Sequence, residues 1–117
     1  MSPQALEGLR VIECGNMVSA AYATKLLADL GAEVIKIETP RIGDEARQYG
    51  PFPGDEPHGE KSGLFLYLNT NKLGVTLDLR SEPGKRILQE MVRSSDILVH
   101  NSPPAEAILE SHPQLLV

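Results

Sequence analysis

The sequence contains one cysteine, no long apolar run and no excess of basic residues, and each absence excludes a class of protein. The single cysteine, Cys14, cannot form a disulfide within the chain. It lies in the run VIEC, so we expect a small buried hydrophobe rather than a catalytic thiol. The 11 basic and 16 acidic residues give a net charge of −5, which argues against a nucleic-acid partner or an anionic membrane surface.

Signals for membrane insertion and export are missing as well. No apolar run approaches the roughly 20 residues that a membrane span needs. The N-terminal stretch MSPQALEGLR lacks the apolar segment of a signal peptide. We therefore expect a cytoplasmic chain with no membrane partner.

Familiar catalytic and metal-binding motifs are absent. His58, His100 and His112 are far apart and show no metal-ligand spacing, so no metal site is predicted. The sequence contains neither a G-x-S-x-G motif nor a P-loop. The acidic pair Asp44 and Glu45 is interpreted most simply as part of a solvated loop, although the neighbouring Arg47 could serve an acidic ligand.

The first forty residues carry the pattern of a strand, a helix and a second strand. The run from Arg10 to Cys14 is rich in strand formers, and Glu33 to Glu38 repeats that character. Between them, apolar residues at helical spacing predict a helix that ends before Gly31: Ala20, Ala23, Leu26, Leu27 and Leu30. A helix of this length suits the crossover between two parallel strands, so we predict a βαβ unit.

The rest of the chain continues the alternation after one long interruption. In order, the patterns predict a long loop at 39–63, a short helix at 64–68, a strand at 75–79, a helix of about three turns capped by Ser81, a strand at 97–100, a short helix after Pro103 and Pro104, and the start of a strand in HPQLLV. This alternation predicts an α/β domain with a doubly wound, Rossmann-like parallel sheet.

Ligands of such sheets bind at the carboxyl ends of the strands, which the patterns place at Cys14, Glu38, Leu79 and His100. Glu38 stands where a dinucleotide fold has its ribose-binding acid, but the turn after Cys14 keeps only the first glycine of that fingerprint. Arg80, before a helix N-terminus, is either an anion-binding residue or a solvated arginine. Asn101 either reads a purine edge or makes an Asx turn.

Five stretches carry a resemblance to a known family: LEGLRVIE, YATKLLADLGAEVIKIE, GDEARQYGPF, LNTNKLGVTLDL and SDILVHN. Together they resemble the N-terminal domain of the family III CoA-transferases, which include formyl-CoA transferase, carnitine CoA-transferase and α-methylacyl-CoA racemase. The resemblance covers nearly the whole chain. It implies that residues 1–117 are part of a CoA-binding α/β domain, an N-terminal fragment of a larger fold in which two subunits interlock as a homodimer.

The resemblance also implies roles for single residues. Leu77 and Arg80 match positions that hold the adenine and phosphate end of CoA, and Asn101 matches another position that lines this pocket. Arg41 is the nearest substitute for a CoA-binding arginine that Thr39 replaces. The remaining carried-over residues are Lys72 in the N-x-N-K loop, as a further CoA contact, and Val18 and Ser19, near the thioester.

Several positions depart from the family pattern. Val18 stands in place of a glutamine and Leu109 in place of an arginine, which leaves the acyl substrate open. The nucleophilic aspartate of the family is expected beyond Val117, so no residue of this chain is predicted to be catalytic. None of the aspartates Asp44, Asp55, Asp78 and Asp96 is assigned that role.

The expected function is therefore transfer of CoA between an acyl-CoA and a carboxylic acid through an aspartyl-CoA thioester. CoA is a substrate here, and no permanently bound cofactor is expected. The chain alone is expected to be inactive. Two alternatives stay open: a non-catalytic module that binds acyl-CoA or a nucleotide, and an acyl-CoA racemase.

Overall fold

The computed structural model describes residues 3–101, in which strands and helices alternate along the chain. The strands are β1 (Arg10–Cys14), β2 (Glu33–Glu38), β3 (Leu73–Thr76) and β4 (Ile97–His100), and the helices are α1 (Ser19–Asp29), α2 (Gly63–Leu68) and α3 (Glu82–Arg93). The helix predicted after Pro104, the strand predicted in HPQLLV and Leu109 lie outside the described residues. Among the described residues, no helix is both long and apolar enough to cross a membrane.

The four strands form one sheet in the order β3-β2-β1-β4, and all three pairings are parallel. The central strand β1 is almost completely buried, as expected for a parallel sheet covered on both faces. One face packs against α3 through Ile12, Leu88 and Leu98. The other carries Val11 and packs against the α1 side. The predicted doubly wound α/β fold is therefore confirmed.

Helix α1 confirms the helical prediction but buries a different face. Ala20, Ala21, Thr24 and Ala28 are buried, whereas about half of the Leu26 side chain is exposed. Small residues face the sheet because their short side chains allow the helix to pack closely against it. Exposed leucines on this helix show that apolar spacing alone did not identify the packed face.

Gly31 ends α1 as predicted. Its φ of +106° lies in the left-handed region that glycine favours. Its N–H donates to Ala28 O, and the N–H of Ala32 donates to Leu27 O. These two bonds form a Schellman motif, which satisfies the last carbonyls of the helix before β2 begins.

Strand β3 is shorter and earlier than the predicted strand at 75–79. It pairs with β2 from Leu73 opposite Ile35 to Thr76 opposite Glu38, so the ladder ends where β2 ends. The Leu77 N–H still donates to Glu38 O, but Leu77 and Leu79 then serve as packing residues against the core. Pairing with a neighbouring strand outweighed the higher strand propensity of VTLDL.

The N-terminus of α3 packs tightly against the turn after β3. Ser81 caps the helix as predicted, because its Oγ accepts the Gly84 N–H at 3.0 Å. A Cβ at Gly84 would lie 1.8 Å from Asp78 O. Only glycine fits this contact, which fixes the turn from Asp78 to Ser81 relative to the helix.

Candidate functional site

An open cleft of about 930 Å³ lies at the carboxyl edge of the sheet. It is lined by residues of four segments: 14–16, 37–45, 77–80 and Asn101. These segments follow β1, β2, β3 and β4 respectively, so the cleft occupies the place where ligands bind parallel α/β sheets.

Four of the predicted CoA-binding residues line this cleft together: Arg41, Leu77, Arg80 and Asn101. Arg41 and Arg80 are both exposed and place two cations on an otherwise acidic chain. Leu77 is half-buried and adds an apolar surface to the same cleft. The Arg80 N–H donates to Asp78 Oδ1 at 3.0 Å, which closes the turn before α3. Two exposed guanidinium groups beside an apolar floor suit a ligand that combines phosphates with a flat ring.

Lys72, the fifth predicted CoA contact, is not brought to the cleft. Its Nζ donates to Glu13 Oε1 at 2.7 Å, to Asn69 Oδ1 at 2.7 Å and to Ala21 O at 2.9 Å. Its side chain is 2% exposed. Since an ammonium has three N–H donors, these three acceptors occupy it fully.

The loop that contains Lys72 fastens three elements to one another. Asn69 Nδ2 donates to Phe65 O at 3.0 Å and so closes the end of α2. Asn71 takes a left-handed φ of +64°, and its Nδ2 donates to Asp29 Oδ1 on α1 at 2.9 Å. The amides and the lysine of this loop therefore join α2, α1 and β1, which explains its unusual polarity.

Sequence reasoning missed a buried network of four charged residues, which reaches the cleft through Asp44. Glu13 on β1 stands opposite Lys36 on β2, and Lys36 Nζ donates to Glu13 Oε2 at 2.6 Å. Lys72 and Asp44 complete the network, which carries two positive and two negative side chains. The sequence did carry a sign of this network, because a charged residue interrupts each of the two apolar strand runs: Glu13 in VIEC and Lys36 in EVIKIE. Burial lowers the pKa of Lys72, while the charge of Glu13 opposes this shift.

Asp44 belongs to this network, so its interpretation as a solvated loop residue was wrong. The residue is buried, and its Oδ1 accepts the N–H groups of Met17 and Ala46 at 2.9 and 2.8 Å. Its Oδ2 lies 2.8 Å from Lys36 Nζ as an ion pair, without a well-directed hydrogen bond. Burial of a carboxylate requires such partners, and β2 supplies the lysine.

Arg47 also has a structural partner rather than a ligand. It forms a bidentate pair with Glu38, with distances of 2.8 Å to Oε2 and 2.7 Å to Oε1, and its guanidinium lies 3.7 Å from the Phe65 ring centroid. Desolvation raises the pKa of Glu38, but the bonds from Arg47 and from the Asp44 N–H outweigh it and hold the pKa below its usual value. Because Glu38 is occupied by Arg47, the structure lends no support to a ribose-binding role.

The predicted thioester-side residues, Val18 and Ser19, lie at the start of α1 and do not line the cleft of the described residues. Val18 is half-exposed, and Ser19 Oγ accepts a hydrogen bond from Asn101 Nδ2 at 3.0 Å. Cys14 does reach the cleft wall, but it is buried. Burial, followed by the charge of Glu13, raises the pKa of its thiol to about 12, although Lys36 opposes this. Cys14 is therefore unsuited to be a nucleophile.

Within residues 3–101, no group of three or more histidine, cysteine, aspartate or glutamate side chains is arranged to hold a metal ion. The charged groups of the site are instead paired with one another or turned toward the cleft.

Comparison with known proteins places this architecture in a family. A family model described as CoA-transferase family III matches residues 6–109. The chain is 44% identical over 105 residues to formyl-CoA:oxalate CoA-transferase of Streptomyces coelicolor, with coverage of 89% of this chain and 24% of that protein. It is 40% identical over 98 residues to acetyl-CoA:oxalate CoA-transferase of Acetobacter aceti, with coverage of 84% and 24%.

Solved structures give the same result. Rv3272 from M. tuberculosis, in an orthorhombic crystal form, superposes with a TM-score of 0.78 at 31% identity, over 98% of this chain and 34% of that one. A CAIB/BAIF family protein from Brucella suis gives a TM-score of 0.76 at 29% identity, over 95% and 29%. The chain thus spans about a quarter of the length of its curated relatives. On the match over residues 6–109, this chain belongs to family III of the CoA-transferases.

Proposed function

We propose that this chain forms the CoA-binding part of an enzyme that transfers CoA from an acyl-CoA to a carboxylic acid. The observation that carries the proposal is the meeting of Arg41, Leu77, Arg80 and Asn101 around one cleft, although they come from three separate loops. Family membership supplies the reaction class.

The nucleotide end of CoA fits the chemistry of this cleft. Its phosphates pair with the guanidinium groups of Arg41 and Arg80, and the turn before α3 adds the positive end of a helix. The adenine ring packs against Leu77. On a chain with a net charge of −5, such local cations are what allows a polyanion to bind.

The reaction proposed for the complete enzyme proceeds by covalent catalysis. A carboxylate attacks the thioester carbonyl, which gives an acyl-enzyme anhydride and a CoA thiolate. The thiolate attacks the enzyme carbonyl of the anhydride, which releases the acyl group as a carboxylate and leaves an aspartyl-CoA thioester. The acceptor carboxylate then repeats the two steps in reverse order and leaves with CoA.

The part that we propose for the described residues is CoA binding, because the family resemblance assigns the nucleophile to none of their aspartates. Asp44 is buried in the ion network, while Asp78 and Asp96 accept backbone N–H groups of Arg80 and Arg10. We place the nucleophile in the part of the relatives' length that this chain does not span. Binding energy from the nucleotide end would hold the thioester at that carboxylate.

The remaining features of the proposal follow from the family resemblance. The enzyme is a cytoplasmic homodimer that takes CoA esters and carboxylic acids as substrates and needs no resident cofactor. Val18 and Thr39 depart from the formyl-CoA transferase pattern, so the acyl donor and the acceptor acid are not assigned.

Titration calorimetry with CoA tests the binding role. We expect saturable binding by the chain, and the substitution Arg80→Ala should weaken it about tenfold, as loss of a charged hydrogen-bond donor to phosphate does. Arg86→Ala is the matched control, since Arg86 is an exposed arginine of α3 that does not line the cleft. Failure of the folded chain to bind CoA, or equal losses in both variants, would contradict the proposal.

A second candidate is a module that binds CoA or a nucleotide without catalysis. It is favoured by the cleft itself, because Arg41, Leu77, Arg80 and Asn101 already meet there within residues 3–101. Supplying the remaining three quarters of a curated relative in trans separates the two. Restored CoA exchange supports the transferase, tight binding without exchange supports the module, and inversion of an α-methyl centre identifies a racemase.

A further inference from the structure

The backbone of Asn16, in the loop between β1 and α1, is bound by a side chain from another loop. Asn101 Oδ1 accepts the Asn16 N–H at 2.9 Å, and Asn101 Nδ2 donates to Asn16 O at 2.8 Å. The Asn101 carboxamide thus pairs with both the N–H and the C=O of Asn16, as the backbone of a neighbouring β-strand would. The Asn16 side chain in turn accepts the Glu45 N–H at 2.8 Å. The loops after β1, β2 and β4 are therefore joined through Asn16.

The next residue, Met17, takes a φ of +62°, in the left-handed region that a residue with a Cβ rarely adopts. Its N–H donates to Asp44 Oδ1 at 2.9 Å. An unfavourable backbone conformation persists only where the surroundings hold it. Here the holding group is a carboxylate from the loop after β2.

Asp44 is itself fixed from two sides. Lys36 Nζ lies 2.8 Å from Asp44 Oδ2, and the Asp44 N–H donates to Glu38 Oε2 at 2.8 Å. The buried ion network of β1 and β2 therefore sets the position of the carboxylate that holds Met17. This connects the core of the sheet to a wall of the cleft.

We infer that Asp44 and Asn101 are positioning residues, which hold the β1–α1 loop (residues 15–18) in place and act on CoA through Gly15 and Asn16, the two residues of this loop that line the cleft. The inference rests on the proposed function. Both Nδ2 hydrogens of Asn101 are engaged, by Asn16 O and by Ser19 Oγ, so its amide serves the protein rather than a purine edge. A loop that is ordered beforehand need not be ordered by the ligand, which favours binding.

Hydrogen exchange of single amides in the chain without CoA tests the holding role. In Asn101→Ala the Asn16 amide should exchange at least about tenfold faster, and in Asp44→Ala the Met17 amide should do so. Asp44→Asn keeps an oxygen at Oδ1 and should retain more of the Met17 protection than Asp44→Ala. Glu56→Gln is the control for the loss of a negative charge, because Glu56 is an exposed residue that lies outside the cleft.

Calorimetry with CoA on the same variants tests the effect on binding. Asn101→Ala and Asp44→Ala should each raise the Kd for CoA about tenfold, with Asp44→Asn in between. Weaker binding with unchanged exchange would mean direct contact with CoA and would overturn the inference. So would faster exchange with unchanged affinity.

Two safeguards keep the test decisive. Asn101 is exposed, so Asn101→Ala still decides the question if Asp44→Ala does not fold. If the parent chain does not bind CoA, the proposed function fails, while the exchange rates alone decide whether the two residues hold the loop.

Discussion

Replacement of Lys72 by methionine separates the structural account of this residue from its predicted role as a CoA contact. The substitution keeps a long apolar side chain but removes an ammonium whose side chain is 2% exposed. Glu13 would keep Lys36 and Thr24 as partners, whereas Ala21 O and Asn69 Oδ1 would each lose a donor.

The expected loss in the free energy of unfolding is about 3 kcal/mol, the lower end of the range for breaking a buried ion pair, because Glu13 is not left alone. Urea denaturation followed by circular dichroism measures it. Lys61→Met is the control, since Lys61 is an exposed lysine of the long loop and should change stability by less than about 0.5 kcal/mol.

A double-mutant cycle sharpens the result. Lys72→Met combined with Glu13→Gln should be less destabilising than the sum of the two single changes, since each removes a charge that the other compensates. The reasoning would be refuted if Lys72→Met unfolded like the parent chain and instead weakened CoA binding. That outcome would place the ammonium in the cleft, where the sequence resemblance put it.

Three further outcomes follow from the structure. Gly84→Ala should lower the free energy of unfolding by about 2 to 3 kcal/mol, measured by urea denaturation, because its Cβ would meet Asp78 O at 1.8 Å; a neutral effect would contradict the tight packing. Cys14 should react with a thiol reagent at pH 8 only in denaturant, since its pKa is raised to about 12; rapid native labelling would contradict its burial. The lowered pKa of Glu38 stabilises the fold above its unfolded pKa, and this contribution is lost as the pH falls through the folded value. Glu38→Gln should therefore flatten the acid limb of the stability profile, and an unchanged limb would contradict the pair with Arg47.

The sequence predicted the fold well because local patterns carried it. Helical spacing, Gly31 at the end of α1 and Ser81 at the start of α3 are short-range signals, and the structure confirms all three. The boundaries of β3 were missed, since they depend on where β2 ends. The residues that pair across β2 and β3 are 38 positions apart in the chain, as Glu38 and Thr76 are (76 − 38), so the local pattern carries no sign of the partner.

The site was predicted only in part, for the same reason. The sequence placed the candidate ligand site at the carboxyl edge of the sheet, and four of the residues predicted to bind CoA line a cleft there. The partners of Lys72 and Asp44 were not predicted, because the sequence does not distinguish a charged residue that faces solvent from one that is paired with a buried residue of opposite charge. Only the three-dimensional arrangement brings Glu13 to Lys72 and Lys36 to Asp44.

The central claim, that the cleft at the carboxyl edge binds CoA, is tested most directly by chemical-shift mapping of the isotope-labelled chain during a CoA titration. The account predicts that the amides which shift will be those of the cleft lining, at 14–16, 37–45 and 77–80 and that of Asn101, with little change around Lys72. Shifts confined to the Lys72 loop, or spread over the outer face of α1, would contradict it.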